Sequence, residues 1–192
     1  MLTFYIIRHG QTEANRDKIV MGSKLDAPLT DEGKNNVKNV GEKLKGIKFD
    51  DFFCSDLGRT VASATIVSGV LGIDAKKTKE LRELDIGEFT GWKNKDYHNR
   101  FPHYKNHLNE AFPGGESFDN LKKRAFDFIY SLEERYNDKT LLILSHVGII
   151  RALVSYFNDF DYDEWINKRL GHEYIGKFVI NKGKLVSYEQ IN

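Results

Sequence analysis

Cysteine is nearly absent from this sequence. Cys54 is the only one in 192 residues, so no internal disulfide can form, and a reducing compartment is the natural reading. It sits in the apolar run Phe52-Phe53-Cys54, which suits a buried structural thiol better than a reactive one. An excess of charge of one sign is also missing. Lys and Arg number 29 against 28 Asp and Glu, a formal net charge of +1. That balance gives no electrostatic argument for nucleic acid or an anionic membrane, so any affinity for an anion must come from a local cluster. Long hydrophobic runs are lacking too. None approaches the roughly 20 residues needed to span a bilayer. The stretch Met1-Leu2-Thr3-Phe4-Tyr5-Ile6-Ile7 carries neither a basic leader nor a cleavage site. The expectation is a soluble, cytoplasmic protein that binds neither nucleic acid nor membrane. Oligomeric state is open, with a homodimer one option.

What is present fits an ordinary globular chain. Hydrophobic residues make up 40% and charged residues 30%, which excludes a disordered or membrane-embedded composition. The length suits a single domain over 1–192, and no internal repeat or low-complexity segment breaks it.

Thr3 to Ile7 is a continuous apolar, β-branched and aromatic run, as in a strand buried on both faces. It ends at Arg8-His9-Gly10-Gln11-Thr12. A loop with Gly22 and Pro28 follows. Thr30 is placed to cap a helix, with Asp31 and Glu32 in its first turn. Val37, Val40, Leu44 and Ile47 form its apolar face. Phe49 to Cys54 reads as a second buried strand. Ser55 or Asp56 can cap the next helix, with Val61, Ala64, Ser68 and Leu71 facing inward. Ala75 to Leu81 holds a short strand.

The segment 83–115 has no clean period and reads as an excursion over the sheet, with one short helix near Asn94 to Arg100. A long helix then places Phe118, Leu121, Ala125, Phe128, Leu132 and Tyr136 on one face. Thr140 to Leu144 is a strand ending at Ser145-His146, and Val147 to Phe157 returns to helical spacing. Lys177 to Ile180 and Lys184 to Tyr188 flank Asn181-Lys182-Gly183 as a terminal hairpin. Strands alternating with helices predict an α/β fold with a doubly wound, mostly parallel sheet and helices on both faces. Such sheets place sites beyond the carboxyl ends of their strands, where Arg8-His9 and Ser145-His146 both fall.

Four elements carry chemistry. Arg8-His9-Gly10-Gln11-Thr12 with Asn15 can bind a phosphoryl group and attack it; a solvated strand end is the plain alternative. Arg59, in Ser55-Asp56-Leu57-Gly58-Arg59-Thr60, falls in the first turn of a helix, where a cation is disfavoured unless an anion joins it. Pairing with a carboxylate such as Asp56 is the alternative there. His146, in Ser145-His146-Val147-Gly148, faces the same edge as His9, or is a core histidine satisfied by backbone. Glu83, Asp85 and Glu88 offer carboxyl groups for acid–base work, and composition does not choose among them.

Together these elements resemble the histidine phosphatase superfamily, also called phosphoglycerate mutase-like. The resemblance covers nearly the whole chain. Arg8 to Thr12 with Asn15 is similar to the family signature. Gly22, Asp26, Pro28-Leu29-Thr30 and Gly33 follow, then Ser55-Asp56-Leu57 with Arg59. Glu83 with Gly87 and Gly91, Pro113-Gly114-Gly115-Glu116-Ser117, and Ser145-His146-Val147-Gly148 complete the order.

The resemblance implies that His9 becomes phosphorylated and that Glu83 is the proton donor, in preference to Asp85 and Glu88. It implies that Arg8, Asn15, Arg59 and His146 bind the phosphate, with His146 also among the catalytic groups. Gln11, Met21 and Gly22 then lie toward the substrate. Met21 stands where the family often has a polar residue, and Ser23 where an aromatic often follows the glycine. No cofactor and no metal are implied, and the substrate is a small-molecule phosphate ester.

Two other readings compete with a metal-independent phosphatase. A phosphoglycerate mutase would use the same phosphohistidine. That branch usually carries a longer insertion and an acid motif with Glu-Arg and a nearby Tyr-Gly, whereas Leu84 follows Glu83 here and Ile86 precedes Gly87. An inactive phosphate-binding module is disfavoured because every catalytic position is filled. His103 and His107 are spaced by four and could share a helix face, but no acidic or cysteine partner for a metal is obvious. Tyr97, Phe101, Tyr104 and Phe112 make their segment aromatic, for packing or for substrate selection.

Overall fold

The computed structural model describes residues 1–100, 108–157 and 170–191. The first strand, β1 (Leu2–Arg8), is apolar on both faces, and its alternation divides it between two cores. Leu2, Phe4 and Ile6 join one cluster, Tyr5 and Ile7 the other. Helices α1 (Glu13–Arg16) and α2 (Asp31–Lys43) follow, then β2 (Asp51–Ser55), α3 (Gly58–Leu71) and β3 (Ala75–Thr78). A 3-10 turn at Gly87–Phe89 and helix α4 (Asn94–Arg100) come before α5 (Phe118–Arg135). The remaining elements are β4 (Lys139–Ser145), α6 (Val147–Phe157), β5 (Ile175–Asn181) and β6 (Lys184–Ile191).

The six strands form one sheet in the order β3-β2-β4-β1-β5-β6. β3, β2, β4 and β1 run parallel, while β5 is antiparallel to β1 and β6 to β5. Val37 and Val40 from α2, its C-cap Leu44, and Ala64 and Val67 from α3 cover one face. Leu121, Ile129 and Leu132 from α5, with Ile149 and Leu153 from α6, cover the other. Both faces being covered explains why the central strands are apolar throughout. The expected α/β sheet, with helices on both faces and a terminal hairpin, is the observed one. In the hairpin turn Lys182 (φ 51°) and Gly183 (φ 71°) are both left-handed, as a two-residue type I′ connection requires.

One ladder positions the site. Arg8 lies opposite Ser145 in the β1–β4 register, and the His9 N–H still donates to the Ser145 carbonyl at 3.0 Å. His9 and His146 therefore leave the sheet side by side at the carboxyl ends of two parallel strands.

Thr30 caps α2 as expected, its hydroxyl accepting from the Gly33 N–H. Helix α3 departs from expectation twice. Its N-cap is Leu57, which has no side-chain hydrogen bond, and neither Ser55 nor Asp56 caps it. Asp26 reaches across instead, accepting from the Arg59 N–H at 3.2 Å. Its buried face is Thr60, Ser63, Ala64 and Val67, while Val61, Ser68 and Leu71 are only partly buried. Polar residues can face inward there because backbone carbonyls satisfy them. Thr60 donates to the Ser55 carbonyl at 3.0 Å and Ser63 to the Arg59 carbonyl at 2.8 Å.

Within 83–115, α4 spans Asn94–Arg100, the span expected. Phe112 packs with Ile86 and Phe89, and Tyr97 borders them. Phe101, His103, Tyr104 and His107 lie outside the described residues.

Candidate active site

The loop after β1 is pressed against the first turn of α2. A Cβ on Gly10 would stand 2.5 Å from the Gly33 carbonyl oxygen, and one on Gly33 only 2.1 Å from that of Gln11. Only glycine pairs allow such backbone contact. The Gly10 N–H donates to Ser63 Oγ at 3.0 Å, which ties the loop to α3 as well.

His9 is buried, and its Nδ1 is 2.8 Å from the Gly10 carbonyl oxygen. A carbonyl only accepts, so Nδ1 carries the proton and Nε2 keeps its lone pair. Burial, followed by the charges of Arg8 and Arg59, holds the ring well below the usual imidazole range. His9 is thus a neutral imidazole with a fixed tautomer.

Three cationic or polar groups surround it. Arg8 donates to the Leu170 carbonyl at 2.5 Å, and burial lowers its guanidinium to about 10, with Glu83 opposing the shift. Arg59 is 2% exposed and is gripped by the carbonyls of Leu25 at 3.1 Å and Gly22 at 2.8 Å. Asp26 completes the grip at 3.1 Å. The carboxylate beside Arg59 is therefore Asp26, whereas Asp56 pairs with Arg82 at 2.6 and 2.7 Å.

His146 lies 5.1 Å from His9 between ring centroids. Its Nε2 is 2.9 Å from Ser55 Oγ, a hydroxyl that also accepts from the Leu57 N–H. When that hydroxyl donates to Nε2, the ring proton sits on Nδ1. Burial, then Arg59, His9 and Arg8, holds this ring too well below the ordinary range.

Arg8 Nε, Arg59 Nε and His146 Nδ1 are buried and have no hydrogen-bond partner among the described residues. A buried unpartnered donor costs about 1–3 kcal/mol, more when charged. All three belong to groups that interact electrostatically with one another around His9. An oxyanion such as a phosphoryl group matches such a set of donors.

Among the three candidate carboxylates, Glu83 is placed against this cluster. Its Oε1 accepts from the Leu84 N–H at 2.9 Å and its Oε2 from the Gly148 N–H at 3.3 Å, at the start of α6 beside His146. Arg124 holds the Glu83 carbonyl at 3.2 Å and pairs with Glu116 at 2.8 Å. Asp85 instead bonds the Gly87 N–H at 2.9 Å and Lys24 at 3.2 Å, and Glu88 is exposed.

The other expected site residues support the loop. The Asn15 side-chain oxygen accepts from the Thr12 N–H at 3.1 Å and hydroxyl at 3.0 Å. Gln11 Oε1 accepts from the Thr30 hydroxyl at 2.9 Å. Met21 is buried with its sulfur 3.7 Å from Thr12 Oγ1, and Gly22 contributes the carbonyl that holds Arg59.

Sequence reasoning missed His172. Its ring stands 5.5 Å from that of His9, and its Nδ1 is 2.8 Å from the His9 carbonyl oxygen. Burial and Arg8 lower it to about 4. It precedes β5, whose Ile175 pairs with Ile7 of β1, so only that antiparallel pairing could have flagged it.

The site is thus a neutral histidine at the carboxyl end of a parallel strand, with Arg8, Arg59 and His146 interacting electrostatically around it. The profile of the histidine phosphatase superfamily (branch 1) matches residues 4–188, and the chain belongs to that superfamily. Among its relatives is "Probable phosphoglycerate mutase GpmB" of Salmonella choleraesuis, 30% identical over 167 residues, covering 81% of this chain and 74% of that protein. Among solved structures, Bacillus stearothermophilus YhfR superposes with TM-score 0.84 at 25% identity, over 96% of this chain and 94% of that one. The α-ribazole phosphatase of Shigella flexneri superposes with TM-score 0.80 at 26% identity, over 95% and 93%.

Proposed function

We propose that the chain is a metal-independent phosphatase that hydrolyses a small-molecule phosphomonoester through a phosphohistidine on His9. The observation that carries this reading is the neutral His9 ring, its Nδ1–H given to Gly10, among three buried nitrogens that have no hydrogen-bond partner among the described residues.

The reaction has two steps. His9 Nε2 attacks phosphorus in line as the bond to the leaving oxygen breaks. Glu83 gives its proton to that oxygen. Water then attacks the phosphohistidine, Glu83 takes the water's proton, and His9 Nε2 regains its lone pair. Arg8, Arg59 and His146 hold the equatorial oxygens through both steps, a role that metal ions fill in other phosphoryl transfers.

The name of the Salmonella relative, a probable phosphoglycerate mutase, supports a second reading, a mutase on the same intermediate. Leu84 and Ile86 favour hydrolysis, because that branch's acid motif has Glu-Arg and Tyr-Gly. A phosphatase screen over a metabolite panel, with chelator present, tests the proposal. Phosphate release is expected, and 3-phosphoglycerate should give phosphate or no reaction. Loss of turnover restored by Mg²⁺ or Zn²⁺ would defeat the metal-independent reading. Rapid isomerisation of 3-phosphoglycerate stimulated by a bisphosphate would make the chain a mutase.

A further inference from the structure

We propose that Gly148 is a positioning residue for the proton-transfer step: it donates its N–H to the Glu83 carboxyl group and leaves the space that group occupies. The inference rests on Glu83 being the acid of the reading above.

The contact is closer than any side chain allows. A Cβ on Gly148 would stand 2.2 Å from Glu83 Oε1 and 3.3 Å from its Cδ. The next neighbour, Leu121 Cδ1, is at 3.4 Å, an ordinary contact. The obstructed atoms are thus the end of a flexible side chain. At Gly87, by contrast, a Cβ would meet the Pro113 carbonyl oxygen at 1.9 Å, and backbone cannot step aside. Gly87, like Gly10 and Gly33, serves the fold. An added methyl at Gly148 displaces the Glu83 carboxyl and little else.

Local conformation does not ask for glycine at this position. Gly148 is the second residue of α6, and it is not among the glycines with positive φ. Within a helix glycine is up to about 1 kcal/mol worse than alanine. The space claimed by Glu83 is what distinguishes this position. A hydrogen bond from Arg124 to the Glu83 carbonyl at 3.2 Å restrains the Glu83 backbone as well.

The test compares G148A, E83Q and the double variant, on an alkyl phosphomonoester from the panel and on nitrophenyl phosphate. Single-turnover rates are read beside melting temperature and affinity for inorganic phosphate. G148A should keep its melting temperature and its phosphate affinity. It should lose about tenfold or more on the alkyl ester, within the 10²–10⁴-fold span of acid–base catalysis, and much less on the nitrophenyl ester. The double variant should be no slower than E83Q, since both changes remove the same proton transfer.

Wild-type alkyl turnover in G148A, with E83Q impaired, overturns the inference. So do losses that multiply in the double variant, or a G148A protein that melts early and no longer binds phosphate. If E83Q itself retains alkyl turnover, the acid assignment fails first and this inference falls with it.

Discussion

Asp26 holds Arg59 twice, through the guanidinium at 3.1 Å and through the backbone N–H at 3.2 Å. One carboxylate therefore caps α3 and aims the cation that this helix start would otherwise repel. The Arg59 Nε is buried and has no hydrogen-bond partner among the described residues.

Asp26→Ala should accordingly damage stability and substrate capture together. Loss of the cap should lower stability by about 1 kcal/mol. Loss of orientation should lower kcat/KM by about tenfold, ~1.4 kcal/mol of transition-state binding. Asp26→Asn keeps an accepting oxygen and should retain most of both. Thermal melts and steady-state kinetics check this. Equal behaviour of the two variants would show that charge alone matters.

His172 should act through its Nδ1 proton. An Asn amide can place a donor near that nitrogen, whereas Gln reaches toward Nε2. His172→Asn should therefore keep the contact with the His9 carbonyl and most of kcat, while His172→Gln and His172→Ala should both lose kcat with little change in KM. Single-turnover phosphoryl transfer measures the effect. If Gln rescues and Asn does not, Nε2 is the atom that matters.

The three site histidines also predict how stability changes with acid. His9, His146 and His172 are all held below 6.5, burial being the largest cause; Arg8 adds to it at all three and Arg59 at His9 and His146. The unfolded chain then binds more protons than the folded one as pH falls below about 6.5, so folding weakens with acid. For His172 this contribution is intact above 6.5 and is lost progressively down to about 4. Melting temperature should fall steadily over that range, and His172→Asn should make the fall shallower. Melts from pH 8 to 4.5 test this. A melting temperature that rises toward acid would contradict the burial of neutral rings.

Much of this was legible in the sequence, for identifiable reasons. Buried parallel strands read as apolar runs, so the ends of β1 and β4, and with them His9 and His146, could be located without coordinates. Chain order placed Arg59 at a helix start. The alternation of periods predicted the sheet, and Asn181-Lys182-Gly183 the hairpin. What stayed hidden depends on tertiary pairing. Thr60 and Ser63 face inward because backbone carbonyls satisfy them, which hydrophobic spacing cannot register. Asp26 caps a helix that begins far along the chain, so local rules pointed to Ser55 and Asp56. His172 reaches the site only because β5 pairs antiparallel with β1. The choice of Glu83 over Asp85 came from resemblance, and the geometry that separates them, the Gly148 N–H and Lys24, lies on other elements.

The most direct test of the account is to catch the phosphoryl group on His9. The enzyme is mixed with a ³²P-labelled phosphomonoester in chelator, quenched during the first turnover in base, and digested to locate the label. The account predicts label on the peptide that carries His9, stable to base and lost in acid as phosphohistidine is. It also predicts no label in His9→Ala, which should still fold. Burst-phase turnover with no phosphoenzyme, or label retained by His9→Ala, would contradict the account.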